Sequence, residues 1–423
     1  MTESAPFRLG SVALPVYLPS LLFATGEGAI IPIIPVAADR LGAPLALAGL
    51  IAALLMVGQL IGDVPSGAIV ARVGERNAML GSAVAALAGL VLCLVAPAPA
   101  VLALGVLVIG IATASFALAR QAFMTTFVPL AYRARALSLL GGMFRAGFFV
   151  GPFLAAGVIS VFGSTQAAFF IHAVGCLAAA VVLLALPDPS ATLAERRQRT
   201  IRTPASGRAP QSDEVTGPEP EREGLLATIW RYRGVLARMG TAAGVIGGLR
   251  SSRQVILPLV AVSLRMPESQ IAIVIGVAGA VDFALFFVSG QVMDRYGRLW
   301  SALPSMVGLG IGHIALALTH DLRSAVPWFV GIAIFLSVAN GIGSGILMTF
   351  GADLAPRHDP APFLGAYRFT GDAGNAVAPL AVSALTAAAS IAVAAGVLGV
   401  VGLLGAGLLA RWVPRYLPRP ARV

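Results

Sequence analysis

The sequence predicts an all-α membrane protein whose 12 transmembrane helices form two six-helix pseudo-symmetric halves. Three observations predict this fold. Of the 423 residues, 58% are hydrophobic and 11% are charged, whereas a soluble domain averages about 25% charged residues. The apolar residues fall into runs of roughly 20 or more, which is the length that a helix needs to cross a bilayer. Motifs in the first half of the chain recur in the second half at a fixed offset.

The apolar runs predict the spans in chain order. They cover residues 11–36, 44–69, 77–97, 100–128, 136–160, 165–186, 236–262, 270–292, 300–319, 325–352, 363–387 and 390–411. Between the sixth and seventh runs, residues rich in Pro, Ser and both signs of charge predict a largely disordered linker with a short interfacial helix. The chain therefore divides into an N-terminal half (1–186), a linker (187–235) and a C-terminal half with its tail (236–423).

Arginines in the loops predict the orientation in the membrane. All 29 basic residues are arginine, and those in loops concentrate on one side, as at Arg72, Arg76, Arg295 and Arg298. Such an excess is typical of the cytoplasmic side. We therefore expect a multi-pass protein of the cell membrane with both termini and the linker in the cytoplasm. We also expect the protein to be a monomer.

The composition excludes several functional classes. Without lysine, the chain has neither a Walker A loop nor a Schiff-base residue. Cys93 and Cys176 lie in separate apolar runs and the four histidines are scattered, so we expect no metal site. The net charge of +10 does not indicate nucleic acid, because the arginines lie between apolar runs rather than along one face. We expect no enzyme and no cofactor; the expected partners are a small-molecule substrate, protons and the lipid bilayer.

An internal repeat relates the two halves. The segments "GAIVARVGERNAML" and "GQVMDRYGRLWSAL" begin at Gly67 and Gly290, 223 residues apart, and share the pattern G-x-x-x-x-R-x-G. The same offset relates Glu27 in span one to Arg250 in span seven. An offset of 227 relates span five to span eleven through the pairs Arg145 and Asp372, Gly147 and Gly374, and Pro152 and Pro379.

Twelve spans, a central linker and these loops after spans two and eight resemble the major facilitator superfamily. The resemblance implies a secondary transporter that works by alternating access. It marks two gating loops, comprising Gly67, Arg72, Gly74 and Arg76 in the first and Gly290, Asp294, Arg295, Gly297 and Arg298 in the second. In the first loop Ala71 stands where the family usually has an aspartate, and Asp63, about two turns earlier, is a further candidate for a gate or a helix cap.

The segment "GGMFRAGFFVGPF" in span five resembles the antiporter motif of the same family, a glycine ladder that ends in Gly-Pro. Gly142, Gly147, Gly151 and Pro152 fit the motif, whereas Ala155 and Ala156 replace the glycine pair that usually follows. In family members this motif accompanies export. The resemblance therefore implies a drug/proton antiporter that exports small lipophilic molecules, with span five packed closely against the other half.

Charged residues inside the spans are the candidates for function, since each costs about 2.5–3.5 kcal/mol on insertion scales. The candidate substrate- or proton-binding residues are Glu27, Arg145, Arg250, Arg253, Asp282, Asp372 and Asn375. Glu27 is a strong candidate for proton binding, because a medium of low dielectric constant favours the neutral form of a carboxyl group. The helical rise places Arg145 and Asp282 about 15 and 18 Å from the same membrane side. We therefore predict an Arg145–Asp282 ion pair between the halves.

Other interpretations stay open. Arg145, Arg250 and Arg253 could hold an anionic solute, which favours uptake or exchange of an anionic metabolite on the same fold. Each intramembrane ion pair could also be a structural clamp between helices. A receptor or lipid-handling protein without alternating access is disfavoured, because two-half symmetry is what alternating access uses.

Overall fold

The chain folds into a bundle of long helices, and its computed structural model describes residues 16–128, 130–185, 229–356 and 360–417. The first half contains α1 (Leu18–Ile30), α2 (Ile34–Arg40), α3 (Leu45–Val73), α4 (Glu75–Leu94), α5 (Pro99–Phe127), α6 (Leu130–Phe162) and α7 (Ala167–Ala185). The second half contains α8 (Thr241–Ser263), α9 (Glu268–Tyr296), α10 (Leu299–Thr319), α11 (Ala325–Ile342), α12 (Ile346–Leu354), α13 (Pro360–Ala388) and α14 (Ile391–Tyr416). A helical turn at Arg233–Val235 and a π-helix at Leu236–Gly240 lead into α8.

Every predicted span coincides with a helical segment. Among the described residues, 11 such segments are long and apolar enough to cross a membrane. The eleventh predicted span is α13, a 29-residue helix that carries Arg368 and Asp372, and it packs between α3 and α8. The predicted fold class, with twelve helical spans in two halves, is confirmed.

Two spans that the sequence predicts as continuous are interrupted. The first span turns at residues 31–33, between α1 and α2, where Pro32 and Pro35 have no N–H to donate to a helix. The tenth span breaks between α11 and α12, and there Gly345 has a left-handed φ of 80°. Both breaks leave backbone carbonyl groups available to side chains.

The packing repeats between the halves. In the first half α1 packs on α6 and α7, and α3 packs on α5; in the second half α8 packs on α13 and α14, and α9 packs on α11. The two gating loops also match, because Gly74 and Gly297 end α3 and α9 with φ values of 81° and 94°, which favour glycine. The halves meet where α6 packs against α9 and where α3 packs against α13.

The two ends of the bundle are named here by their loops. The linker face is the end with Gly74 and Gly297, and the far face is the opposite end, with Gly42 and Glu268. Most of the predicted linker, residues 187–228, lies outside the described residues. The predicted interfacial helix is described from residue 229 onward, where residues 229–231 are helical and Trp230 is 72% exposed.

Candidate functional site

The predicted intramembrane residues separate into three groups rather than one site. Arg145, Arg250, Arg253 and Asp282 come together on the seam between α6, α8 and α9. Glu27 lies apart, within the first half. Asp372 and Asn375 form a third group on α13, closer to the linker face.

Asp282 is the carboxylate at the centre of the first group. It forms an ion pair with Arg253 of α8, and its Oδ1 accepts a hydrogen bond from Nδ2 of Asn340 on α11 at 3.0 Å. Arg253 also donates to the hydroxyl of Ser337 at 2.6 Å. A buried ion pair is stable only when further hydrogen bonds satisfy its remaining atoms, and the neighbouring spans supply them here.

The structure corrects the predicted Arg145–Asp282 ion pair. The guanidinium group of Arg145 lies over the ring of Phe286, 4.6 Å from its centroid, and Phe286 follows Asp282 by one helical turn. The charges of Asp282 and Arg253 still act on Arg145. Arg253, which belongs to the same half as Asp282, forms the ion pair instead. Counting residues along separate helices does not resolve differences in depth of a single helical turn.

Arg250 adds a third guanidinium group to this region. It lies three residues before Arg253 on α8 and donates to the carbonyl of Gly343 at the break between α11 and α12, which also accepts from the backbone N–H of Ile346 at 3.3 Å. Within the described structure, the buried Nε atoms of Arg250 and Arg253 have no hydrogen-bond partner. Arg145, Arg250 and Arg253 around Asp282, here called the arginine cluster, carry three positive charges against one negative, and such a site favours an anion.

Glu27 has very different surroundings. Its side chain is fully buried, and its Oε1 accepts a hydrogen bond from Nε2 of Gln59 on α3 at 3.1 Å. Among the described residues, neither Glu27 Oε2 nor the nearby hydroxyl of Thr113 has a partner with hydrogen-bond geometry. The positive charge that acts on Glu27 belongs to Arg120, whose guanidinium lies 4.5 Å from the centroid of the Phe144 ring. One carboxylate oxygen therefore has room for a proton.

The third group joins α13 to the first half. Arg368 Nε lies 3.5 Å from Asp372 Oδ2, and Asn375 Nδ2 donates to Asp372 Oδ1 at 3.4 Å. Arg368 also donates to Oε1 of Gln121 on α5 at 3.2 Å. Asp63 of α3 is exposed and interacts electrostatically with Asp372 and Arg368. Asp372 is thus a repeat mate of Arg145 in sequence but a member of a separate group in space.

The arginines that end the two gating loops make similar contacts. Arg76 donates to the carbonyl groups of Leu183 and Leu184 at 2.8 and 3.1 Å. Arg298 Nε donates to Asp353 at 2.8 Å, and this hydrogen bond raises the pKa of Arg298. Each arginine thereby ties its loop to the linker-face end of another span. The remaining charged residues of the loops, Arg72, Asp294 and Arg295, are exposed.

The glycines of span five pack against their own half, so the expected packing against the other half is wrong for them. A Cβ atom on Gly147 would lie 2.6 Å from the backbone nitrogen of Thr25, and one on Gly151 would lie 2.5 Å from that of Ala29. Both neighbours belong to α1. Glycine is therefore required for the close approach of α6 to α1, and Pro152 is buried beside it.

Aromatic side chains of span five face the other half instead. Phe149 of α6 stacks on Phe283 of α9 with ring centroids 6.1 Å apart, and Phe153 lies against Gly276. With Phe286 under Arg145, these rings form the aromatic seam between α6 and α9. The seam gives the region around the arginine cluster an apolar wall.

The far face holds the halves together. Glu268 at the start of α9 forms an ion pair with Arg40 and accepts a hydrogen bond from Thr165 at 2.6 Å. Ser383 of α13 donates to the carbonyl of Ala46 on α3 at 2.6 Å. These contacts join the two halves at the far face.

Sequence reasoning missed several polar partners, among them Gln59, Thr113, Ser337 and Asn340. Neutral side chains in apolar spans carry no charge signal. One signal was nevertheless present, because Gln59 and Asp282 are 223 residues apart, the offset that relates the two gating loops. Applied to Asp282, the repeat identifies Gln59 as its counterpart.

Comparison with known proteins adds a family assignment. The model of the Major Facilitator Superfamily matches residues 16–377 and, in a second match, residues 239–423. A 168-residue segment is 26% identical to an uncharacterised MFS-type transporter of Mycobacterium tuberculosis, in strains H37Rv and CDC 1551, and covers 40% of this chain. The match spans only 24% of that longer relative.

Solved structures share the whole fold at low sequence identity. A POT family transporter in complex with a thioalcohol-conjugated peptide is 12% identical, with a TM-score of 0.73 and 96% of each chain covered. A D-xylose–proton symporter is 15% identical, with a TM-score of 0.70, 97% of this chain and 98% of that chain covered. The xylose transporter of E. coli in a partially occluded, inward-open conformation is 14% identical, with a TM-score of 0.71 and coverage of 96% and 99%.

Proposed function

Because the chain belongs to the Major Facilitator Superfamily, and is therefore a secondary transporter and not an enzyme, we propose that it exchanges a small organic anion for protons by alternating access. The observation that carries this proposal is the arginine cluster. Three guanidinium groups and one carboxylate leave a net positive charge near mid-membrane, where an uncompensated charge is costly. An anionic substrate supplies the missing negative charge.

The aromatic seam refines the kind of anion. The rings of Phe149 and Phe283 line the same interface as Arg145 and Phe286. A substrate with an acidic group and an apolar or aromatic body would contact both surfaces, since pockets for small molecules combine apolar walls with a few fixed polar groups. We therefore propose an amphipathic organic acid.

Glu27 is the proposed proton carrier. Asp282 is held by Arg253 and Asn340, so its negative charge is compensated in place. Glu27 is buried, and its hydrogen-bond partner among the described residues is a neutral amide, with the charge of Arg120 acting from nearby. A carboxyl group in such surroundings can gain and lose a proton during a transport cycle. Release of that proton would couple to movement of the substrate.

Export is the proposed direction, with both termini in the cytoplasm. The support is the resemblance of Gly147, Gly151 and Pro152 to the antiporter motif. A second candidate is efflux of neutral or cationic lipophilic drugs, which the aromatic seam favours and the arginine cluster disfavours.

Proton flux in liposomes tests the proposal. The full-length chain is reconstituted with a pH-sensitive dye inside, and aromatic carboxylates, dicarboxylates, neutral lipophilic compounds and cationic dyes are added in turn. We expect an amphipathic carboxylate to drive proton movement opposite to its own. The Arg250→Gln variant should lose this flux, whereas Arg323→Gln, in an exposed far-face loop, should keep it.

The same assay separates the rivals. Flux driven by cationic or neutral compounds alone would contradict an anion carrier and favour drug efflux. Movement of protons and anion in the same direction would contradict exchange and favour uptake by symport.

A further inference from the structure

Three arginines at the linker face converge on one tryptophan. The guanidinium carbons of Arg238, Arg411 and Arg415 lie 4.7, 5.3 and 5.1 Å from the centroid of the Trp412 ring. Because all three lie so close to one centroid, any two of them are at most about twice that distance apart. Their charges repel one another, because this separation is comparable to the screening length of about 8 Å at physiological ionic strength.

Within the described part of the chain, no acidic group balances the charges of these three arginines. Among the described residues, none of the three arginines forms an ion pair with a carboxylate. The helix dipole explains part of the pattern, because cations are stabilised at the C-terminal end of a helix such as α14. It does not explain Arg238, which comes from a different span.

Arg238 is placed by a special feature of the backbone. It lies in the π-helix Leu236–Gly240, and π-helical turns occur frequently at functional sites. Its Nη1 donates to the hydroxyl of Tyr416 at 2.6 Å, and the ring of Tyr416 lies 6.2 Å from that of Trp412. The tyrosine hydroxyl therefore accepts from Arg238 and keeps its own proton available for an incoming acceptor.

The surroundings of the three arginines at Trp412 are those of a membrane interface. Arg411 and Arg415 are exposed on the last turns of α14. Earlier on the same helix, the apolar side chains of Val400 and Leu404 are 52% and 65% exposed, as expected for a lipid-facing surface. An anionic group bound here would have an apolar surface directly beside it.

We propose that Arg238, Arg411, Arg415, Trp412 and Tyr416 form a binding site for the phosphate headgroup of an anionic phospholipid. The phosphate accepts hydrogen bonds from the guanidinium groups and from the Tyr416 hydroxyl. The acyl chains lie along the exposed apolar surface of α14. This Trp412 site is separate from the arginine cluster between the halves, and it belongs to the C-terminal half alone.

Tryptophan fluorescence provides a local test in the full-length chain. Trp230, Trp300 and Trp328 are 72%, 67% and 52% exposed, so their replacement by phenylalanine leaves Trp412 as the single reporter with little disturbance of the core. The protein is placed in phosphatidylcholine bilayers that contain either brominated phosphatidylglycerol or brominated phosphatidylcholine. Bromine quenches only a neighbouring indole, so the ratio of quenching measures the preference of the site.

We expect brominated phosphatidylglycerol to quench Trp412 more strongly than brominated phosphatidylcholine. Each arginine contributes about a fivefold preference for an anionic surface, so Arg411→Gln/Arg415→Gln should lower the ratio by more than tenfold. The matched control, Arg72→Gln/Arg295→Gln, removes two exposed arginines from the same face and should leave the ratio unchanged. Thermal unfolding of both double variants checks that they fold. If Arg411→Gln/Arg415→Gln does not fold, the single variant Arg415→Gln takes its place in the measurement.

Three outcomes would overturn the site. The first is equal quenching by the two brominated lipids. The second is an equal loss of preference in the control variant, which would indicate general surface charge. The third is abolition of the preference by millimolar inorganic phosphate, which would indicate a site for the free ion.

Discussion

The two halves each bury a carboxylate in the membrane, and the two carboxylates have opposite surroundings. Asp282 has both oxygens engaged, one by Arg253 and the other by Asn340. Glu27 has one oxygen bonded to the neutral amide of Gln59 and the other without a partner among the described residues. A pseudo-symmetric fold thus holds one charge in place, while the other carboxyl group is the one that we propose to exchange a proton.

The largest expected effect comes from removing the compensated charge. Asp282→Asn leaves Arg253 buried without its partner, and breaking a buried ion pair costs about 3–5 kcal/mol. We expect the free energy of unfolding in detergent to fall by that amount. The control replaces both partners, with Arg253→Met and Asp282→Leu together, and should recover most of the loss. A loss below about 1 kcal/mol in Asp282→Asn would show that the pair is not a structural element.

The second prediction concerns the other carboxylate. Glu27→Gln keeps the size and the hydrogen bond to Gln59 but cannot release a proton. We expect transport driven by a pH gradient to fall to background and its pH dependence to disappear, while exchange of substrate at equal pH continues. Glu27→Asp, which retains a carboxyl group, should keep part of the coupling. Full pH-driven transport by Glu27→Gln would place the proton site elsewhere.

A third prediction sharpens the role of the arginine cluster. Arg145 makes no ion pair among the described residues and lies over Phe286, so its guanidinium is available to a substrate. Hydrogen bonds to charged groups contribute about 1.5–3 kcal/mol, so Arg145→Gln should raise the KM for an anion about tenfold or more. The maximal rate should change less. A variant with unchanged KM would mean that Arg145 only packs the halves together.

A smaller effect is expected at the far face. The side chain of Arg40 is 44% exposed, and exposed ion pairs contribute up to about 1 kcal/mol. In a Ser383→Cys background, Arg40→Gln should therefore increase the rate of labelling by an impermeant maleimide by up to about fivefold. High salt should produce the same increase without the substitution. If labelling stays constant in both cases, the Arg40–Glu268 pair does not hold this face closed.

The smallest effect is expected at Arg298, outside the membrane. Its contact with Asp353 is partly exposed, with 27% of each side chain accessible, so Arg298→Gln should cost about 0.5–1 kcal/mol. The hydrogen bond raises the pKa of Arg298 further above its ordinary value. A base whose pKa is raised in the folded state contributes stability that is lost only as the pH rises through that pKa. The difference in the free energy of unfolding between Arg298→Gln and the original chain should therefore not vary from pH 5 to 9. Unfolding measured across that range checks both points.

The sequence predicts the fold far better than the contacts within it. The twelve spans, the two halves and the matched loops at Gly74 and Gly297 follow from hydropathy and the repeat. The breaks at residues 31–33 and at Gly345 did not, because proline and glycine occur in many intact spans of this chain. The partners of Asp282 and the direction in which Gly147 and Gly151 face were also predicted wrongly, although each residue had been marked as important.

The sequence by itself determined which residues carry charge inside the membrane, how many helices enclose them and which loops are equivalent. Only the tertiary structure decided that Arg253 rather than Arg145 meets Asp282, that Glu27 meets Gln59, and that phenylalanines rather than glycines of span five face the other half. The physical reason is that lipid tails are as apolar as a protein core. The hydrophobic pattern of a span therefore reveals its length and depth but says little about the direction in which each of its faces points.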